Sequence, residues 1–188
     1  MKTKLLLASV LGSLLVGGYP VIEPIQAQPI TQAEPSSWQS FSDQDGGFTV
    51  LMPGTPTAKK QTQDSPIGTI DFYSFTTALE DKKVTYLVSY NDFPEAVLSL
   101  PPDILLDGLR SGLIADRTVR LVEEKTISLG EYPGKEFQLE IPGKVAIRHR
   151  AYLVKQRLYQ VITETPLDQE NELSDDIDKF MESFQLLG

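Results

Sequence analysis

The sequence has no cysteine, which rules out thiol nucleophiles, thiolate metal sites and disulfides. It has one histidine, His149, so any histidine base must be that residue, and no second imidazole is there to complete a metal pair. Neither His-x-x-x-His nor Gly-x-Ser-x-Gly occurs. Cations are scarce: 17 Lys and Arg stand against 26 Asp and Glu, a net charge of −9. A chain this acidic is repelled by nucleic acid and by anionic lipid surfaces. No apolar run reaches the roughly 20 residues that a membrane-spanning helix takes. Nothing repeats at a period of about 20 to 50 residues, which sets aside solenoids and propellers.

What is present begins with a leader. Met1-Lys-Thr-Lys4 is basic, and Leu5 to Val16 is an apolar stretch of the length of a secretory h-region. The expected signal peptide is 1–27, cut after Ala27 or as late as Ala33, with an uncleaved anchor as the alternative. Cutting at Ala27 leaves 161 residues and removes Lys2, Lys4 and Glu23, so the remaining charge is −10. An exported chain without cysteine fits a periplasm or a thylakoid lumen, with secretion as the alternative. Residues 28–40, rich in Gln, Pro, Ser and Thr, read as a flexible lead-in, and 41–188 as a single domain.

Within that domain, Ser42 to Gly47 (SDQDGG) raises the question of a calcium loop. Placing Gly46 at the sixth position of an EF-hand puts Phe41 and Met52 where the first and last oxygen ligands belong. The stretch reads as a turn feeding a strand, in which Phe48, Val50 and Met52 alternate with their neighbours until Pro53-Gly54. Period-two alternation continues in 70–75 and 84–90, joined by Glu80-Asp-Lys-Lys83, and in 136–141, 145–154 and 158–163. The short connections require antiparallel neighbours. Pro101-Pro102-Asp103 opens a helix whose stripe is Leu105, Leu109 and Leu113. A second helix carries Leu173, Ile177, Phe180, Met181 and Phe184 on one side, with Asp175, Asp176, Asp178 and Glu182 opposite. An antiparallel sheet of about six or seven strands with two main helices is an α+β domain.

Four stretches, GGFTVLMPGTP, a strand ending in YNDFP, LGEYPGKEFQLE and the closing FMESFQLLG, resemble the PsbP-like class of small exported proteins. That class includes extrinsic PsbP subunits of photosystem II, bacterial secreted proteins and Ran-binding relatives. Over residues 38 to 188 the resemblance implies an α-β-α sandwich that docks to larger assemblies. No metal-binding residue of PsbP relatives matches a position in this sequence.

The remaining motifs divide simply. In Gly130 to Glu136 (GEYPGKE) three residues, not four, separate the glycines, and Glu136 follows the lysine, so the stretch is not a phosphate loop. Pro133-Gly134 instead suggests the turn of a hairpin. His149 shares a strand face with Val145, Ile147, Ala151 and Leu153, the pattern of a packed histidine. The acidic residues of the last helix fan around its outer side and converge on no ligand. Arg148 and Arg150, pointing away from His149, form with Arg157 the one cationic cluster, flanked by Lys144 and Lys155. The bland alternative pairs them with Glu136, Glu140 or Glu164 across the sheet. Planar guanidinium forks suit acidic partners, so these three arginines are the expected partner-binding residues. The function expected is a non-catalytic exported module, without a cofactor. It would dock to an envelope or thylakoid-lumen protein complex, photosystem-related in kind, and not to nucleic acid, and would carry no transmembrane anchor after cleavage. The alternatives are a hydrolase using His149 or an acidic pair, or a carrier of a small ligand or divalent metal.

Overall fold

The computed structural model describes residues 38–65, 68–97 and 99–188. The expected signal peptide, 1–27, and residues 28–37 of the expected lead-in lie outside them, and so does the alternative of an uncleaved anchor. In chain order the elements are β1 (Trp38–Asp43), β2 (Phe48–Pro53), β3 (Thr57–Ser65), β4 (Gly68–Leu79) and β5 (Val84–Asp92). A short 3-10 turn and helix α1 (Pro102–Leu113) follow, then β6 (Arg120–Leu129), β7 (Tyr132–Ile141), β8 (Val145–Val154), β9 (Arg157–Pro166), α2 (Ser174–Ser183) and β10 (Gln185–Leu186). Seven strands form one antiparallel sheet in the order β3-β4-β5-β9-β8-β7-β6, and β1-β2-β10 form a small second sheet.

Alternation in the central strands puts apolar side chains on both faces of the large sheet, and each face is covered. On one side, Leu105, Leu106, Leu109 and Leu113 of α1 pack against Phe137, Leu139, Ile147, Leu158 and Ile162. On the other, α2 and the small sheet cover Val88, Tyr90, Tyr159 and Val161 with Phe180, Met181, Phe48 and Met52. Phe48 is the hub of this second core, stacked on Phe184 at 5.5 Å and edge-on to Phe75 at 5.7 Å. Tyr86 lies edge-on to Trp38 at 5.4 Å and to Phe180 at 5.2 Å. Each such side chain, fully buried, contributes about 1.5–3 kcal/mol. The fold is α+β, an α-β-α sandwich with the small sheet set beside α2.

SDQDGG is a turn. Asp43 accepts from the Gly46 amide through Oδ2 at 2.7 Å, and the Gly47 amide donates to the Asp43 carbonyl at 2.8 Å. Gly47 has φ +67°, the left-handed conformation that favours glycine. β1 starts at Trp38, inside the stretch read as lead-in, because Trp38 and Phe41 pack on the second core. The turn expected at Pro133-Gly134 lies earlier. Leu129 pairs with Tyr132 around Gly130-Glu131, and Gly130 supplies the positive φ, +60°, of a glycine-first hairpin. Pro133 and Gly134 are strand residues, and Gly134 is required by closeness: a Cβ there would lie 2.5 Å from the Ala151 carbonyl oxygen.

Candidate functional site

Arg148 and Arg150 project from β8 toward α2, as alternation dictates, but they do not form an open cationic face. Arg150 Nε donates to Glu136 Oε2, and its Nη1 donates to the Met181 carbonyl at 3.1 Å. Arg148 Nη1 donates to Asp178 of α2, and its Nε lies 3.6 Å from Glu136 Oε1. Glu136 is buried between the two guanidiniums. This chain of charges fastens α2 to the sheet, and Lys82 to Asp176 at 3.3 Å fastens the helix near its start. Asp176 and Asp178 are therefore docking groups of α2, while Asp175 and Glu182 face solvent.

Arg157 lies apart from this pair, opposite Val154 at the far end of the hairpin. Its fork takes both oxygens of Asp92, at 2.7 and 2.8 Å, and its Nη1 donates to the carbonyls of Asp45 at 2.8 Å and Gly46 at 3.1 Å. The guanidinium also lies over the Tyr90 ring at 4.6 Å. Tyr159 donates its hydroxyl to the Gly46 carbonyl at 2.6 Å. The SDQDGG turn is thus held by Arg157 and Tyr159. Of the alternative acidic partners, only Glu136 meets these arginines. Glu140 pairs with Arg120, and Glu164 sits on the opposite sheet face, where burial raises its carboxyl above the usual range.

His149 is 0% exposed, edge-on to Phe137 at 5.9 Å within the α1-side core. Burial pushes its imidazole down to about 3, and the neighbouring Gln160 amide only partly opposes that. Neither ring nitrogen makes a hydrogen bond of ordinary geometry. A ring sealed in this way cannot reach a water or a substrate. Asp107 and Glu124 are two carboxylates that do converge, but on a cation. Lys135 Nζ lies 2.9 Å from Asp107 and 2.6 Å from Glu124, and Arg110 donates to the second Glu124 oxygen at 2.6 Å. Burial works against the Glu124 charge, yet the hydrogen bonds from Lys135 and Arg110 outweigh it and hold its carboxyl below the usual range. Such a bridge leaves no free base and no raised acid. Among the described residues no group of three His, Asp or Glu is arranged to hold a metal ion.

One feature of the arginine face lies beyond single-strand pattern. Gln138, Arg148 and Thr163 stand directly opposite one another across β7, β8 and β9. The signal for it is present in the sequence. A two-residue turn at Lys155-Gln156 puts Arg148 opposite Thr163, but only once both strands are placed to the residue.

No family model matches the chain, and no curated protein matches it. Among solved structures it is similar to cyanobacterial PsbP (CyanoP) from Synechocystis sp. PCC 6803, at 13% identity and a TM-score of 0.54. That alignment covers 85% of this chain and 98% of CyanoP. LpqN of Mycobacterium tuberculosis, involved in cell envelope biogenesis, aligns at 12% identity over 86% of this chain and 90% of its own, with a TM-score of 0.48. The likeness to CyanoP is one of fold: the chain has the PsbP-like α+β architecture. No helix among the described residues is long and apolar enough to cross a membrane.

Proposed function

We propose that the protein is an exported, non-catalytic binding module that docks to a protein complex of a cell envelope or thylakoid lumen, photosystem-related in kind. The observation that carries this reading is the fold it shares with CyanoP, over nearly the whole of that protein. Fold alone does not fix function, so the reading is an analogy joined to the leader sequence and to the chemistry of the site. The buried, uncharged state of His149 removes the base on which the hydrolase alternative relied. The arginines enter in different roles. Arg150 and Arg157 hold α2 and the β1–β2 turn in place. Arg148, 27% exposed at its side chain, keeps an edge on the surface beside the start of α2, and the partner contact is placed there.

A photo-crosslinking amino acid introduced at Asn171, exposed beside that edge, tests the reading in the native compartment. A single partner adduct is expected from Asn171 and none from Lys125, exposed on the distant strand β6. Equal adducts from both positions, or none from either, would overturn it.

A further inference from the structure

The row Gln138, Arg148 and Thr163 is the floor of a recess of about 210 Å³ beside the start of α2, with Asn171 and Ser174 on its wall. Thr163 is 1% exposed, yet its hydroxyl has no hydrogen-bond partner. Arg148 Nε faces Glu136 at 3.6 Å, beyond hydrogen-bonding distance, and the guanidinium keeps an exposed edge beside that hydroxyl. Ser174 opens α2, a helix of 10 residues, and Leu173 before it offers no side-chain cap to the first-turn amides. Buried polar groups are nearly always paired, so an orphan hydroxyl beside a partly exposed guanidinium on one small recess points to an occupant.

The lining sets the chemistry of that occupant. An arginine guanidinium, a hydroxyl able to donate, two side-chain amides and a helix start together ask for an acceptor. Its charge is limited as well. Glu136 and Asp178 already balance Arg148 and Arg150, and Glu170 lines the same recess. A doubly charged phosphate would add two negative charges beside that of Glu170, whereas a carboxylate adds only one and can accept from Thr163 and Arg148 at once. Residues directly opposite on neighbouring strands have Cβ atoms about 4.5–5.5 Å apart, close enough for one planar group to bridge.

We propose that this recess is a binding site for a monocarboxylate, held by the Thr163 hydroxyl and the Arg148 guanidinium. The carboxylate belongs to a small molecule or to the end of a peptide, and the test separates the two. The site would stand whether or not a docking partner is captured.

Nitrogen-15 correlation spectra of the labelled, exported protein, recorded at pH 7 and constant ionic strength, provide the test. Acetate and N-acetylglycine should each give saturable shifts at the Thr163 and Ser174 amides. N-acetylglycinamide and inorganic phosphate should bind at least tenfold more weakly. Tighter binding of N-acetylglycine than of acetate assigns the site to a peptide end, and the reverse order to a small molecule; either order supports the site. Thr163→Val, close in shape, should weaken acetate binding about tenfold, while Thr163→Ser, which keeps the hydroxyl, should retain it. Absence of saturable shifts with both carboxylates, phosphate binding equal to acetate, or equal affinity in the folded Val and Ser variants would overturn the proposal.

Discussion

Arg150 and Glu136 stand opposite one another on β8 and β7, and their side chains form an ion pair whose carboxylate is almost wholly removed from water. A buried charge that loses its partner is costly, whereas removing both charges is often tolerated. Arg150→Met is expected to lower the unfolding free energy by about 3–5 kcal/mol, and Arg150→Met with Glu136→Met to lower it by less. Urea unfolding of the single and double variants checks this. A loss under about 1 kcal/mol from Arg150→Met would mean that the pair does not hold α2 to the sheet. For the same reason, reversing Arg148 and Arg150 to Glu would read stability and not docking.

Arg157→Lys keeps the charge but loses the fork that grips Asp92 and the Asp45 and Gly46 carbonyls. Stability should fall by about 1–2 kcal/mol, because some of these bonds face solvent. Hydrogen exchange localises the effect: the Gly47 amide, bonded to the Asp43 carbonyl at 2.8 Å, should exchange faster. Unchanged protection at Gly47 would free Arg157 from the role of turn clamp.

The buried imidazole gives a pH dependence with a definite sign. His149 stays neutral in the fold down to about 3, but in the unfolded chain it takes up a proton near the ordinary imidazole value of 6.5. The unfolded state therefore binds more protons between these limits, and stability is lost as pH falls through that window. Between pH 7 and 5 the His149 contribution to the loss is about 2 kcal/mol. Glu164, raised by burial, acts in the opposite direction, so the comparison is made between wild type and His149→Gln. The variant should be less stable at pH 7, by about 1–2 kcal/mol, and should lose part of the acid sensitivity. Parallel stability curves for the two proteins from pH 7 to 5 would contradict the sealed placement of the ring.

Gly134→Ala tests the contact between β7 and β8. The added Cβ would lie 2.5 Å from the Ala151 carbonyl and 2.6 Å from the Tyr152 ring. Overpacking of this kind costs about 1–3 kcal/mol. A melting temperature equal to wild type would show that the strands separate there without penalty.

Both helices and the inner strands were legible because burial on known faces writes a period into the sequence. Leu105, Leu109 and Leu113 mark α1, and the alternation of Val84, Tyr86, Val88 and Tyr90 marks β5. The outer strands carry no such mark. β3 (TAKKQTQDS) and β6, at the two edges of the large sheet, are largely exposed, so nothing forces their side chains to alternate. The first half of β1, residues 38–40, falls in the stretch that reads as lead-in, because Trp38 is its only large apolar residue. At the site, alternation separated Arg148 and Arg150 from His149 correctly. That α2 closes over the arginines depends on packing with residues some thirty positions away, Asp178 and Met181, which no local pattern records.

On the proposed reading, this chain works by binding to a protein complex. Native mass spectrometry of the tagged protein captured from its own membranes, with salt raised in steps, decides this. A defined complex of fixed stoichiometry is expected, persisting at low salt and dissociating as salt screens the contact at the Arg148 edge. Recovery of the chain alone at every salt concentration would contradict the claim.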